Sequence, residues 1–294
     1  MEIALPARPP FSFPAVINSH GWSSLAPFQK TDDHPNAIRY IDRLDTGRVV
    51  ELHIFARDGG VGVATRTPLS SQEQDEVSRK VSWMMALDQD FSGFYARARQ
   101  EPKLAHVEAG AGGRVLRSPT LFEDIVKTIL TTNTLWAGTI RMVDTLVRLY
   151  GEPLEGDPSR CAFPTPARLA LLDEETLRSE ARLGYRAPYI LELARRIASG
   201  ELELESLKMT QMPTSDLRVQ LMGIKGVGGY AAANLLMILG RFESIPVDSW
   251  ALKLVSHEWY GGEPVEPAQV EAAFEAWGEW KGLAFWFWDW IYKG

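Results

Sequence analysis

The chain has 294 residues, 45% apolar and 23% charged, which favours two or three packed subdomains and excludes a disordered protein. Its formal net charge of −7 excludes a surface that is basic overall. A single cysteine excludes an internal disulfide and a four-cysteine iron–sulfur cluster, and no apolar stretch of 18 or more residues predicts a membrane span.

The N-terminal part of the chain carries the pattern of β-strands. Residues from about 10 to 70 alternate apolar and polar side chains, most clearly over residues 38–44 and 48–55. Asp45-Thr46-Gly47 joins these two segments, and a further glycine turn precedes residues 61–65. Because short turns connect neighbouring strands, we predict an antiparallel sheet.

From Ser70 onward the chain carries helix signals, and Ser71 to Gln74 resembles a capping box. The periodicity predicts helices over residues 72–88, 90–99, 119–132, 135–150, 166–172, 175–182 and 186–199. Residues 108–113 are glycine-rich and predict a loop between regions, and Cys161 is expected to be an inert loop residue. The predicted fold class is α+β, mostly α: a sheet-containing domain over residues 1–100, then a helical domain over residues 101–294.

A glycine-rich hairpin lies within Leu221 to Tyr230. Gly226, Gly228 and Gly229 occur just before an apolar helix, where missing Cβ atoms permit positive φ and close approach of a ligand. The amides at that helix N-terminus suit an anion such as phosphate. A tight helix–helix turn explains the glycines equally well.

One carboxylate follows the hairpin at a short distance. Gly240 closes the apolar helix, and Asp248 stands two residues after Pro246 at the predicted start of the next helix. Asp is a favoured helix cap, so by itself Asp248 is explained structurally.

Together, the hairpin and Asp248 match the helix-hairpin-helix and Gly/Pro-Asp signature of the base-excision DNA glycosylase superfamily, which the chain resembles. Residues 118–150 are similar to the helix and turn that carry the residue inserted into DNA. Leu183 to Tyr189 resembles a segment of 8-oxoguanine DNA glycosylases. The resemblance spans residues 118–290. The larger members of this superfamily, such as those that resemble 3-methyladenine DNA glycosylase II, also have a sheet before the helical body.

The resemblance implies a base-releasing chemistry at Asp248. A carboxylate there stabilises the positive charge that develops on the sugar, or orients a water. The flipped base leaves a gap, which Asn133 is expected to fill, although Asn also suits a helix C-cap. Tyr185 and Arg186 are expected to contact the opposite strand; alternatively Arg186 opens a helix and pairs with a carboxylate. The hairpin residues expected to contact DNA are Lys225, Gly226, Val227, Gly228, Gly229 and Tyr230.

Strand cleavage depends on a lysine in this family. Relatives with lyase activity carry it two residues after the second glycine of Gly-x-Gly, where this chain has Tyr230. Lys225 and Lys253 are weak substitutes by position. The resemblance therefore implies a monofunctional enzyme.

The substrate is expected to be a damaged purine, with a preference for alkylated bases. Aromatic faces attract cationic purines, and the candidate walls of a base pocket are Trp136, Phe285 and Trp286. Aromatic residues at helical spacing also suit a plain core. The alternatives are 8-oxoguanine, against which Gly138 replaces an expected arginine, and a catalytically silent DNA-binding protein.

The expected partner is double-stranded DNA containing a damaged base, bound by a monomer inside the cell, in the cytoplasm, and not at a membrane. Arg218, Lys225 and Arg241 against Glu243 form a small local excess of positive charge, so binding to undamaged DNA should be modest and salt-dependent. No cofactor or metal is expected, and a monovalent cation at the hairpin is left open.

Overall fold

A computed structural model of the protein describes residues 2–31 and 36–292. Its strands are β1 (Glu2–Pro6), β2 (Phe28–Lys30), β3 (Ala37–Arg43), β4 (Val49–Arg57), β5 (Gly60–Thr65), β6 (Pro153–Leu154) and β7 (Asp157–Cys161). Its α-helices are α1 (Phe13–Ile17), α2 (Ser71–Met84), α3 (Ser92–Ala98), α4 (Leu121–Thr131), α5 (Trp136–Tyr150), α6 (Pro166–Ala170), α7 (Glu174–Ser179), α8 (Ala187–Ala198), α9 (Thr214–Met222), α10 (Gly229–Ile238), α11 (Ser249–Trp259), α12 (Pro267–Ala273) and α13 (Lys281–Phe287). Within these described ranges, no helix is both long and apolar enough to cross a bilayer.

The N-terminal sheet is antiparallel, as the alternating pattern predicts. Its strand order is β1-β5-β4-β3-β2. Ile38 pairs with Ile54 and Tyr40 with Leu52, so these buried side chains cover one face of the sheet. Gly47 closes the turn between β3 and β4 at a φ of 86°. The short strands β1 and β2 complete the sheet and were missed by the sequence prediction.

The predicted helices between residues 72 and 199 correspond to α2 through α8, which confirms a mostly helical α+β fold. The predicted capping box was wrong by one residue. Ser70 caps α2, its hydroxyl accepting from the Glu73 amide while the Glu73 carboxylate accepts from the Ser70 amide. Gln74 instead donates to the carbonyl of Leu69 at 3.0 Å.

The chain forms two compact units that interleave along the sequence. The first comprises residues 1–89 and 114–209, and the second comprises residues 90–113 and 210–294. The glycine-rich stretch 108–113, expected to be a loop, is a series of turns that ends at the boundary between the units. The domain boundary predicted at residue 100 stays a prediction.

Helix α4 belongs to the first unit, and its residues 121–130 are all buried. Its ionisable groups are paired internally. Lys127 donates to one carboxylate oxygen of Glu123, and the Tyr40 hydroxyl donates to the other, both at 2.6 Å. Burial without such partners would be very costly for a lysine.

A second buried carboxyl group on α4 is less completely satisfied. Asp124 Oδ1 accepts from the Trp22 indole at 2.8 Å and from the Ser118 amide at 2.9 Å. Oδ2 is buried without a hydrogen-bond partner. Burial is the main cause that raises the pKa of Asp124 to about 7, so in the folded protein this group is mostly protonated below neutral pH.

Cys161 does not lie in a loop, contrary to the sequence prediction. It is the last residue of β7, which pairs with β6, and its side chain is buried. Burial raises the pKa of its thiol, which disfavours the reactive thiolate.

Candidate active site

The helical hairpin of the second unit is formed by α9, the turn 223–228 and α10. Backbone bonds from Ile224 to Leu221 and from Val227 to Ile224, each 3.0 Å, close the turn. Both turn side chains are buried and anchor it, so Val227 can meet a ligand only through its backbone. Helix α10 begins at Gly229, and its N-cap residue Gly228 has no side chain to cap it, which leaves the first amides of the helix available to an anion.

The hairpin glycines serve two different purposes. Gly226 has a φ of 90°, in the region that favours glycine, so it is needed for the turn itself. Gly228 has an ordinary φ of −89°, and a Cβ placed on it would meet no atom within 4 Å. Gly228 and Gly229 are exposed. The fold therefore does not require a glycine at position 228. A side chain there would instead obstruct a ligand that approaches the α10 amides.

The three cations near the hairpin sequence are used differently. An Arg218 guanidinium nitrogen lies 3.5 Å from where a Cβ of Gly229 would stand, which puts it beside the α10 N-terminus. Lys225 is exposed within the turn. Arg241, by contrast, donates to the Thr210 carbonyl at 2.7 Å. Arg218 and Lys225 thus lie at the hairpin, whereas the Arg241 guanidinium, still charged, is anchored to a backbone carbonyl.

Asp248 is exposed and is the N-cap of α11, as the sequence predicts for its position. Its Oδ1 accepts from the amides of Trp250 at 2.9 Å and Ala251 at 2.8 Å. Among the described residues, Oδ2 has no hydrogen-bond partner. One oxygen thus fixes the carboxylate while the other is left for a ligand.

The segment leading to Asp248 is held by two residues that sequence reasoning missed. The Gly282 amide donates to Phe242, and a Cβ on Gly282 would lie 2.6 Å from the Ser244 carbonyl oxygen. The Glu271 carboxylate accepts from the Ile245 amide at 3.2 Å. Gly282 itself was the signal in the sequence. A glycine inside a helix lowers the stability of that helix, so its presence in α13 indicates a close packing contact.

Tyr230 lies within electrostatic range of Asp248. Its pKa is raised, first by burial and then by the negative charge of Asp248. Asn234 acts in the opposite direction through a side-chain hydrogen bond. A neutral phenol therefore occupies the position at which lyases of the family carry a lysine.

The candidate wedge lies in the first unit, in the turn between α4 and α5. Asn133 follows the C-cap Thr132 and has a φ of 47°, the left-handed conformation that Asn tolerates. It is exposed, and its amide nitrogen donates to the Tyr185 hydroxyl at 3.3 Å. Tyr185 is 44% exposed.

Arg186 supports this turn from within. It is only 6% exposed and donates to the backbone carbonyls of Thr132 and, at 3.3 Å, Asn133. Its guanidinium also lies over the Tyr185 ring, 4.4 Å from the centroid. It is the N-cap residue of α8, but it donates to these two carbonyls and to the Met142 sulfur at 3.9 Å, and not to a carboxylate. Contact with the opposite DNA strand stays a prediction.

Residues 126–279, more than half of the chain, match the family described as HhH-GPD superfamily base excision DNA repair protein. The chain belongs to the HhH-GPD superfamily. It is a DNA glycosylase of base excision repair.

Among relatives of this HhH-GPD glycosylase, a DNA-3-methyladenine glycosylase of Bacillus subtilis is 27% identical over 76% of this chain and 75% of its own. A probable N-glycosylase/DNA lyase of Methanothermobacter thermautotrophicus is 26% identical over 74% of this chain and 75% of its own. A solved 3-methyladenine DNA glycosylase from Archaeoglobus fulgidus has a TM-score of 0.75 at 21% identity, covering 98% of this chain and 97% of that one. That structural likeness shows the fold alone.

The candidate base-pocket residues of the glycosylase differ in exposure. Phe285 is 7% exposed and packs edge-on against Phe274 and Trp290, at ring distances of 5.8 and 5.3 Å. Trp286 on α13 is half-buried. Trp136, in the other unit, is 40% exposed and lies against Gly21, where a Cβ would stand 2.2 Å from its ring. The packing of Phe285 favours a core role, and a pocket role for the three stays a prediction.

Proposed function

We propose that this glycosylase is monofunctional and hydrolyses the N-glycosidic bond of damaged purines, with alkylated bases preferred. The observation that carries the proposal is Asp248, an exposed carboxylate with one fixed and one uncommitted oxygen. It stabilises the oxocarbenium-like sugar or activates a water. The α10 amides with Arg218 and Lys225 hold the DNA backbone.

The absence of a lyase step follows from Tyr230. An imine needs an amine nucleophile, and a phenol with a raised pKa supplies neither an amine nor an accessible negative charge. The name of the Methanothermobacter relative includes a lyase, so the prediction needs a direct test.

Alkylated purines are favoured by three considerations. Three curated relatives, two of Bacillus subtilis and one of Escherichia coli, bear 3-methyladenine glycosylase names. Gly138 stands where the 8-oxoguanine enzymes are expected to have an arginine. Arg186, the other residue of that resemblance, is buried against carbonyls of its own unit, which leaves it little capacity to contact a base.

8-Oxoguanine is the second candidate, supported by the Leu183 to Tyr189 segment and by the exposed Tyr185 ring. A panel of duplexes containing 3-methyladenine, 7-methylguanine, hypoxanthine, uracil or 8-oxoguanine tests the proposal by measuring released base. We expect release of the methylated purines first. Preferential release of 8-oxoguanine would contradict the substrate assignment, and DNA binding with no release would favour a catalytically silent protein.

A further inference from the structure

The backbone leading to Asp248 is fixed at Ile245. The amide of Ile245 donates to Glu271 Oε1 at 3.2 Å, and its carbonyl accepts from the Val247 amide at 2.9 Å. Pro246 lies between these two bonds and restricts the backbone further, because its ring fixes φ. Ile245 is 3% exposed, so water has little access to replace a lost partner. The backbone is therefore held up to the residue next to Asp248.

Glu271 can hold this amide because its other carboxylate oxygen is also held. Glu271 Oε2 lies 3.3 Å from the Lys281 ammonium. The side chain of Lys281 is 12% exposed, and its ammonium also pairs with Glu275 at 2.5 Å. Burial alone would lower the pKa of Lys281, but the hydrogen bonds to Glu275 and Glu271 outweigh it and raise that pKa. The ammonium therefore stays charged, and it fixes Glu271 in the orientation that meets Ile245.

The backbone around Lys281 is anchored to the same segment. The next residue, Gly282, donates its amide to the Phe242 carbonyl, and a Cβ on it would lie 2.6 Å from the Ser244 carbonyl oxygen. The ring of Trp280, the preceding residue, stacks on Phe242 with the two ring centroids 6.0 Å apart. The point from which the Lys281 side chain starts is therefore fixed relative to the segment that it helps to hold.

We propose that Glu271 and Lys281 are positioning residues for catalysis, which set where the uncommitted oxygen of Asp248 meets the sugar. The α11 amides fix Asp248 from one side through Oδ1, and Glu271 fixes the backbone on the other side through Ile245. A displacement of about 1 Å between reacting groups can lower a rate by about a hundredfold. This role rests on the proposed function, since the position of Asp248 affects base release only if its carboxylate acts on the sugar.

The test compares Glu271→Ala with Glu275→Ala. Both carboxylates pair with Lys281, but the Glu275 side chain is 72% exposed and, among the described residues, makes no hydrogen bond to the segment leading to Asp248. In single turnovers Glu271→Ala should release a methylated purine about tenfold more slowly than the wild type, with unchanged affinity for a duplex containing a tetrahydrofuran abasic analogue. Glu275→Ala should match the wild type in both. Wild-type release by Glu271→Ala, or an equal loss in Glu275→Ala, would overturn the proposal.

Two milder variants decide the question if Glu271→Ala folds poorly, since it leaves a buried amide without its acceptor. Glu271→Gln retains an acceptor but loses the attraction to Lys281, and Lys281→Met retains the carboxylate but removes its partner. Both should release base more slowly than the wild type and faster than Glu271→Ala, at unchanged duplex affinity. Lower melting temperatures with wild-type rates of release would show a role in stability alone and would also overturn the proposal.

A further measurement does not depend on catalysis. Hydrogen exchange of the peptide that contains Ile245 and Val247, followed by mass spectrometry, should be about tenfold faster in Glu271→Ala and unchanged in Glu275→Ala. Unchanged exchange in Glu271→Ala would contradict the proposal. If Asp248→Asn releases base like the wild type, the proposed function fails and the positioning role falls with it. If Asp248→Asn is inactive but Glu271→Ala matches the wild type, the positioning role alone fails.

Discussion

Tyr230 sets the expected reaction products. It stands where a lyase lysine would be, and Asp248 lies within electrostatic range of its phenol. We predict that borohydride traps no covalent complex between the wild type and lesion-bearing DNA, because a phenol forms no imine. Tyr230→Lys should give a trapped complex visible on a denaturing gel, and Tyr230→Phe should not. An efficient trap with the wild type would show that another lysine acts, with Lys225 and Lys253 as the first to test.

Substitutions of Arg186 and Tyr185 should distinguish support of the turn at residues 132–133 from contact with DNA. Arg186→Ala removes the donor of the Asn133 carbonyl and leaves the Thr132 carbonyl only the Tyr185 hydroxyl at 3.5 Å, so it should lower the free energy of unfolding by about 2 kcal/mol in a urea titration. Tyr185→Ala, at an exposed position, should change stability little and weaken binding to lesion-bearing duplex. Comparable stability losses in both variants would contradict this division.

At the level of the element, the hairpin offers a matched pair of glycines. Gly226→Ala must adopt a φ near 90° and should destabilise the protein by about 1 kcal/mol or more. Gly228→Ala meets no atom and should leave stability unchanged, yet it should weaken duplex binding several-fold, because its methyl group obstructs the α10 amides. Thermal unfolding and binding titrations of both variants check the pair, and unchanged DNA binding by Gly228→Ala would remove the amides from the DNA site.

The hairpin and Asp248 could be predicted from sequence because their chemistry is local. Glycines mark a turn, and a carboxylate after a proline marks a helix start, both within a few residues. The support of these elements could not be predicted. Gly282 and Glu271 hold the Asp248 segment through contacts with residues 26 or more positions away. Likewise, nothing in the sequence distinguishes the exposed Leu135 from the buried Leu130, because exposure is decided by tertiary packing.

At the scale of the whole molecule, the composition predicted that the chain buries a core. It did not predict that this core contains ionisable side chains. The alternating strands were predictable because one face of the sheet is buried. The ionisable groups of α4 were not, since Glu123 and Lys127 are paired within the core instead of facing solvent. The negative net charge likewise says little about local charge, because Arg218 and Lys225 lie at the hairpin of a chain that is negative overall.

The buried Asp124 makes stability depend on pH. In the folded protein it releases its proton at a pH of about 7, while its ordinary pKa is 3.8. Between these values the folded state binds more protons than the unfolded chain, so stability falls as pH rises and the loss is complete above about 7. Its charged neighbours Glu123 and Arg117 oppose each other, the first raising its pKa and the second favouring its ionised form.

Asp124→Asn removes this titration while keeping one oxygen acceptor. We predict that the melting temperature of the wild type falls relative to that of the variant between pH 5 and pH 8, and that the two curves run parallel above that range. Other titrating groups, including His20 with its lowered pKa of about 4, cancel in the comparison. Parallel curves from pH 5 upward would contradict the assignment.

Single-turnover base release by Asp248→Asn tests the central claim most directly. Asparagine is as good a helix cap as aspartate, so the variant should fold and bind lesion-bearing duplex like the wild type. It lacks the negative charge that stabilises the sugar cation or activates a water, so release should fall by roughly a hundredfold or more. Release at the wild-type rate, with DNA binding intact, would contradict the claim that Asp248 is the catalytic carboxylate.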